Sequence, residues 1–379
     1  MLWSQRFAVR FLSYKTQSLF SSEIAVNLLK NPNNYTQKNL EQIVTSLDIL
    51  KYDVIGPNSH NSAHVEIPLQ VFSTQMLVLV NKTTPIQILG ILKAMSALKV
   101  SNRRLWDSFE SHILNNFSEA QPEDISLIID ACAYSSRKNQ LLWSWFEDRI
   151  SHLLDTDANF SGTNFSIIIK SFASAAQGSK SFHRRLNEKA VEKIDEMDGK
   201  EYSANISSLM HSKHLEKNIL IAFIDSYEKF KFKVLGDGIA TVLICFVRND
   251  APRDMIDDLE IRFLNEIGQM NVSSLANVAS AYGKKYGAAV TTYSKKKELL
   301  MKIEEHFFHF QDNLLKRTTK ERAEDLMLMM YWGLERTIGM KDKGKIRKLL
   351  NDEHAKKRFL LPAKLEMADY LIRSLRNSM

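Results

Sequence analysis

Between residues 85 and 282 one pattern recurs: an apolar helix ending in small residues, then a second helix carrying an aromatic residue, an acid and an isoleucine. In the two clearest copies, residues 85–97 are followed by Leu105, Trp106, Phe109, Glu110 and Ile113, and residues 122–133 by Leu142, Trp143, Phe146, Glu147 and Ile150. Aligned on the first-helix anchors Leu89, Ile125, Phe165, Ile206, Ile239 and Leu275, successive copies are spaced by 36, 40, 41, 33 and 36 residues. A helical hairpin of this length exposes an apolar face that only another hairpin can cover, so a run of them stacks. The spacing predicts an all-α chain, an α-solenoid of about six to eight irregular hairpins with a period of 33–41 residues. Function is then expected on a long concave surface rather than in a buried catalytic pocket.

The composition agrees with helix. Seven prolines and thirteen glycines in 379 residues are few for a sandwich or barrel, and 44% apolar with 25% charged residues is the balance of a folded chain. Cys132 and Cys245 lie in apolar runs without a metal-binding or redox spacing, and are expected as core thiols. Apolar runs such as 71–80 and 219–224 stop well short of the roughly 18 to 20 residues of a membrane span, so no integral membrane insertion is expected.

Residues 1–22 hold Arg6, Arg10 and Lys15, five serines and no acid, the composition of a mitochondrial presequence, with the mitochondrial matrix as destination. The domain layout that follows is a presequence over 1–22, an N-terminal capping helix and loop region over 23–82, hairpin repeats over 83–282, a basic insertion and long helix over 283–317, and a C-terminal basic helical cap over 318–379. Leu40, Ile43, Val44 and Leu47 mark the capping helix, with Thr36 as its N-cap, and residues 56–63 read as a loop. Thr83 or Thr84 before Pro85 is a favourable helix start.

Charge is distributed unevenly. Residues 284–379 carry 22 Lys/Arg against 13 Asp/Glu, a net +9, and the remainder of the chain is close to neutral. Within the insertion, Lys284, Lys285, Lys295, Lys296 and Lys297 interleave with Tyr282, Tyr286 and Tyr293, a combination suited to phosphate attraction and base stacking, although a solvated loop has the same composition. Lys341, Lys345 and Lys348 share a helical face beyond it. The RNA-binding candidates are therefore Lys284, Lys285, Tyr286, Tyr293, Lys295, Lys296, Lys297, Lys341, Lys345 and Lys348. Trp106, Phe109, Trp143, Phe146 and Phe182 are read as packing between repeats. The methionine-rich stretch 327–333 is read as a malleable core or partner-docking face.

Catalytic and metal signals are weak. His211/His214 and His306/His309 lack a third ligand at a metal spacing. Gly236-Asp237-Gly238 reads as an inter-hairpin turn in which Asp237 caps the helix at Ile239. Asp254, Asp257, Asp258 and Glu260, with Arg253 and Arg262 nearby, read as an exposed ion-paired face rather than a nuclease site. The expectation is a chain with no catalytic residues, no metal and no cofactor.

The runs 125–134 and 275–282, with the second-helix run 142–150, resemble those of the organellar helical-repeat RNA-binding proteins of the FAST-kinase-like, octotricopeptide and heptatricopeptide group. The resemblance covers about residues 83 to 282, and extends over 318–350 as a decayed copy. It implies a mitochondrial protein bound to rRNA or mRNA, working in RNA stability, processing, translation or ribosome assembly alongside protein subunits of a larger assembly. Members of that group often end in a strand-rich nuclease-like domain, and residues 340–379 show no strand alternation. A second reading of the same hairpins is a structural accessory subunit of a mitochondrial protein complex, of the respiratory chain or ATP synthase, with the solenoid as its docking surface.

Overall fold

Apolar positions at helical spacing, broken by short polar turns, give helices throughout the computed structural model. It describes residues 22–55, 63–156, 158–212, 214–292, 294–317, 320–340, 342–351, 359 and 362–376. The expected presequence, apart from Ser22, and nearly all of the loop at 56–63 lie outside the described residues. Among the described residues the fold is all-α, without a strand. The chain forms two compact units, one running to Ala190 together with His211–His214, the other comprising Val191–Met210 and Leu215 onward. The repeat run expected as one block over 83–282 is thus divided between them.

In the first unit α1 (Ser22–Lys30), α2 (Leu40–Ile55) and α3 (Ala63–Gln75) precede three hairpins: α4 (Pro85–Ala97) with α5 (Arg103–Asn116), α6 (Pro122–Tyr134) with α7 (Gln140–Asp155), and α8 (Gly162–Ala175) with α9 (Lys180–Glu192). First helices pack in a row, α2 on α4, α4 on α6 and α6 on α8, while α5 packs on α7. Thr84 is the N-cap of α4 with Pro85 in its first turn, and its backbone N–H donates to Gln87 Oε1 at 3.0 Å. Thr36 precedes a short 3₁₀ turn rather than α2 itself, which begins at Leu40.

The second unit contains most of α10 (Gly199–His211), the short α11 (Lys217–Asp225) and α12 (Tyr227–Phe230), then α13 (Asp237–Arg248) with α14 (Arg253–Glu266) and α15 (Val272–Lys285) with α16 (Ser294–Arg317). It ends in α17 (Lys320–Thr337), α18 (Lys343–Asn351) and α19 (Pro362–Arg376). Again the first helices contact one another, α13 on α15 and α15 on α17. The α15–α17 contact is backbone-close: a Cβ on Gly333 would sit 2.4 Å from the carbonyl of Ala279, which only a residue without one avoids. Met327, Met330, Tyr331 and Trp332 are buried beside it, so this part of the methionine-rich stretch is core.

One anchor is corrected. Leu89 is half-buried and Ile88 is fully buried, like Ile125, Ile206, Ile239 and Leu275. With Ile88 as anchor the first interval is 37 residues, the same as from Trp106 to Trp143. Four of the first helices, α4, α6, α8 and α13, end in the same turn. Lys99, Ser136, Ala176 and Asp250 occupy the left-handed region at φ 54–55°. The next residue's N–H closes a six-residue ring: Val100 to Met95 O, Arg137 to Cys132 O, Gln177 to Phe172 O and Ala251 to Phe246 O, at 2.9–3.2 Å. This is the Schellman closure, here without glycine. In the three first-unit copies a ring nitrogen from the second helix reaches the turn carbonyl six residues back: Trp106 Nε1 to Val100 at 2.9 Å, Trp143 Nε1 to Arg137 at 2.7 Å, and His183 Nε2 to Gln177 at 2.8 Å.

Ile128 lies in the α6 contact layer with no exposure. Ile128→Asp places an unpaired carboxylate there and is expected to cost more than about 4 kcal/mol. The check is thermal unfolding followed by helical circular dichroism, where an unchanged midpoint would contradict the packing described.

Candidate nucleic-acid interface

The second-helix acid of the repeat has a structural use that decides the fate of one candidate lysine. Glu110 on α5 accepts from Arg137 Nε at 2.5 Å and from Asn139 Nδ2 at 2.6 Å, in the turn that opens α7. Glu147 on α7 accepts from the Ser179 N–H at 3.0 Å and from its hydroxyl, in the turn that opens α9. On α14 the buried sequence Ile256, Leu259, Phe263 matches Trp143, Phe146, Ile150, and this alignment places Glu260 at the position of Glu147. Glu260 accepts from Lys296 Nζ at 2.5 Å, in the first turn of α16, and from the Tyr282 hydroxyl at 2.5 Å. In all three, an acid on one second helix holds the start of the next.

Lys296 is therefore not available to phosphate. It is 5% exposed, lies 3.8 Å from Asp257 as well, and sits over the rings of Tyr282 and Tyr286 at 5.9 and 5.2 Å. Burial and the Glu260 charge push the Tyr282 hydroxyl well above its ordinary range, so it remains a donor. The insertion at 283–297 is not a loop either: α15 runs to Lys285, a 3₁₀ segment follows over Gly287–Thr292, and α16 begins at Ser294.

The remaining candidates divide. Lys285 pairs with Asp250, the left-handed turn residue of the preceding hairpin. Tyr286 is half-buried against Tyr282, with ring centroids 5.5 Å apart. Lys345 Nζ stands 3.3 Å from the centroid of Phe308. It shares a cavity of about 500 Å³ with Lys297, so two clusters some fifty residues apart in sequence are brought together. Glu298, Glu304, Glu305 and Asp342 line that cavity too, outnumbering Lys297, Lys302 and Lys345. Its charge balance does not favour a phosphate inside it, although Lys297 at its edge is exposed to solvent. Lys284, Lys295, Lys297 and Lys348 are exposed and take no ion pair or hydrogen bond among the described residues. Tyr293 and Lys341 lie outside the described residues.

The acidic group is ion-paired, as its sequence suggests, but exposed only in part: Asp254 is exposed and Asp257 and Asp258 are half-buried. Glu260 is 3% exposed, and Asp258 accepts from the Tyr227 hydroxyl at 2.9 Å and pairs with Lys231 at 3.0 Å. Arg253 does reach Asp257, at 3.9 Å, whereas Arg262 donates to Val234 O at 2.6 Å. Asp237 does not cap its own helix. Its carboxylate accepts from the Asn271 N–H at 2.9 Å, Asn271 Nδ2 at 2.6 Å and Ser274 Oγ at 2.7 Å, holding the start of α15.

Sequence reasoning passed over 229–233, where Lys229, Lys231 and Lys233 alternate with Phe230 and Phe232, the same interleaving that singled out the insertion. Phe232 is 83% exposed, yet Lys229 is held by Asp195 and Lys231 by Asp258. No family model matches the chain, and no curated protein matches it either.

Among the described residues no group of three or more His, Cys, Asp or Glu is placed to hold a metal, and no helix is long and apolar enough to cross a membrane. Burial acts on three of the histidines, His112, His183 and His306. His183, with His214 at a ring-centroid distance of 5.1 Å, is held below the ordinary imidazole value of 6.5 by burial first and by His214 next, against the opposing pull of Gln177 O and Glu147. Burial lowers His112 as well.

Two expectations follow from these contacts. Lys296→Met leaves Glu260 buried without its cation and should cost about 3–5 kcal/mol, while Lys296→Met with Glu260→Leu should recover much of that loss. Denaturant unfolding of the single and double variants reads this as a coupling energy. The unfolded chain protonates its histidines before buried His183 and His112 do, so stability is complete above about pH 6.5 and declines as pH falls below it. Unfolding at about pH 7.5 and about pH 5.5 should show that decline. His183→Gln should shrink the difference between the two, and an undiminished difference would remove His183 from the explanation.

Proposed function

We propose that this chain is a non-catalytic, RNA-associated helical-repeat protein of the mitochondrial matrix, a component of a ribonucleoprotein such as the mitoribosome or an RNA-processing or RNA-stability assembly. Each unit is read as a stretch of α-solenoid, and rRNA or mRNA as the ligand. The observation that carries the reading is the set of four exposed, unpartnered ammonium groups, Lys284, Lys295, Lys297 and Lys348, within a C-terminal quarter of net charge +9. Exposed cations without internal partners are what release counterions on meeting a polyanion. The presequence composition of residues 1–22 and the resemblance to organellar helical-repeat RNA-binding proteins support the location and the class.

The second reading, an accessory subunit of a respiratory or ATP-synthase complex, is favoured by a different observation. Phe232 and Leu235, 83% and 66% exposed, lie three residues apart on the turn after α12, and Lys229 and Lys231 beside them are paired with Asp195 and Asp258. Apolar anchors within a neutral polar rim are the form of a protein-binding spot.

Crosslinking from isolated mitochondria separates the two. Nuclease-sensitive adducts on peptides C-terminal to Tyr282 are expected. Recovery of complex subunits alone, without RNA, would favour the accessory role. In vitro, changing Lys284, Lys295, Lys297 and Lys348 together to Gln should weaken binding to unrelated single-stranded RNAs alike. It should also flatten the slope of log affinity against log salt by up to about 0.7 per contact, about 2.8 in all. A variant with the parent's affinity and slope would remove these lysines from the interface.

A further inference from the structure

In the first unit, α5 and the turn that follows α3 border a groove of about 810 Å³. The α5 side of it is one polar helix face, carrying Arg103, Arg104, Ser111 and Asn115 at three- and four-residue spacing, and Asn81 stands on the other side. The side chains of Arg104, Ser111, Asn115 and Asn81 have no hydrogen-bond partner among the described residues. Asp107, the acid that lines the groove, is neutralised from both sides, by Arg103 at 3.5 Å and Arg137 at 3.6 Å. What remains is a line of donors with excess positive charge, along a helix about 20 Å long at about 1.5 Å per residue.

The repeat shows that packing does not require this face. α7 is the same element one repeat later, its buried Trp143, Phe146 and Ile150 matching Trp106, Phe109 and Ile113. At the positions of Arg104, Ser108 and Ser111 it carries Leu141, Trp145 and Asp148. The packed positions agree between the two helices and the outward ones do not, so the cationic, donor-rich character of α5 is its own.

From this we infer that the α5 groove is a second nucleic-acid contact, taking the phosphodiester backbone of single-stranded RNA. Arg104 supplies the unmatched charge, Arg103 beside it is held by Asp107, and the amides and hydroxyl bind phosphate and sugar oxygens. Guanidinium forks and uncharged donors are the groups that grip the backbone without reading bases, so this contact adds affinity rather than sequence choice. Leu77, on the wall opposite α5, offers an apolar surface for a base face. The inference rests on the RNA reading proposed above, and adds to it a site outside the basic C-terminal quarter.

The test uses the full chain and a fluorescently labelled oligouridylate, with affinity followed across a salt series. Two variants change exposed groove positions and should keep the parent's circular dichroism: Arg103→Gln with Arg104→Gln, and Ser111→Glu, which sets a carboxylate midway along the groove. Both should weaken binding several-fold at low salt, and the arginine pair should flatten the salt slope by about 0.7, for the one contact that Arg104 makes. If the arginine variant weakens binding and Ser111→Glu does not, the arginines act outside the groove and the proposal fails. If neither changes binding while the four-lysine variant still does, the groove falls and the RNA reading stands. If the parent itself does not bind the oligonucleotide, both fall together.

Discussion

The hairpin turn governs much of this structure. A first helix that ends in a left-handed residue and a six-residue hydrogen-bonded ring fixes the direction in which the chain leaves, and so where the second helix starts. A non-glycine residue in that region costs about 1–2 kcal/mol. Lys99, Ser136, Ala176 and Asp250 all bear that cost. It is offset by backbone bonds that satisfy otherwise orphaned carbonyls and, in the first three, by the ring nitrogen of Trp106, Trp143 or His183 on the turn carbonyl. The aromatic residue of the repeat thus does two things at once: it fills the core and it closes the turn.

Once second helices are placed, the repeat acids lock one hairpin to the next. Glu110, Glu147 and Glu260 each reach the start of the following second helix, but the donors differ: an arginine with an asparagine, a serine, and a lysine with a tyrosine. Carboxylates taken out of water, fully for Glu110 and Glu260 and partly for Glu147, demand partners, and any donor at the right place satisfies them. This tolerance explains why the acid is visible as a sequence repeat and its partner is not. Lys296 stands in a run of three lysines, and nothing in that run distinguishes the one whose ammonium turns inward.

The apolar periodicity made the hairpins legible, because burial acts on the same positions in every copy. It did not resolve one residue of register: Ile88 and Leu89 are equally apolar, and only the layer of α2 and α6 against α4 selects Ile88. Asp237 shows the same limit from the polar side. Its place after Gly236 suits a helix cap, yet Asn271 and Ser274 come within reach only through the packing of α13 on α15. The two-unit division was illegible for a related reason, since the apolar anchors Phe165, Ile206 and Ile239 continue through it.

Counting charge and locating available charge are different operations. Of the five lysines in the insertion, Lys296 is consumed by Glu260 and Lys285 by Asp250, and Lys345 further along is spent on Phe308. A net charge of +9 over the C-terminal quarter survives these pairings, but the groups free to meet a polyanion are fewer and differently placed than the sequence suggests. The converse holds on α5, where two arginines against Asp107 and Glu110 cancel in the sequence yet leave a face on which Arg104 has no acid to answer it and Asp107 is already matched. In a stack of hairpins the inward positions are fixed by the neighbours, so composition there reports on folding. The outward faces are constrained only by solvent, and a departure between otherwise matching helices, such as Arg104 against Leu141, is where selection for a ligand can act without disturbing the core.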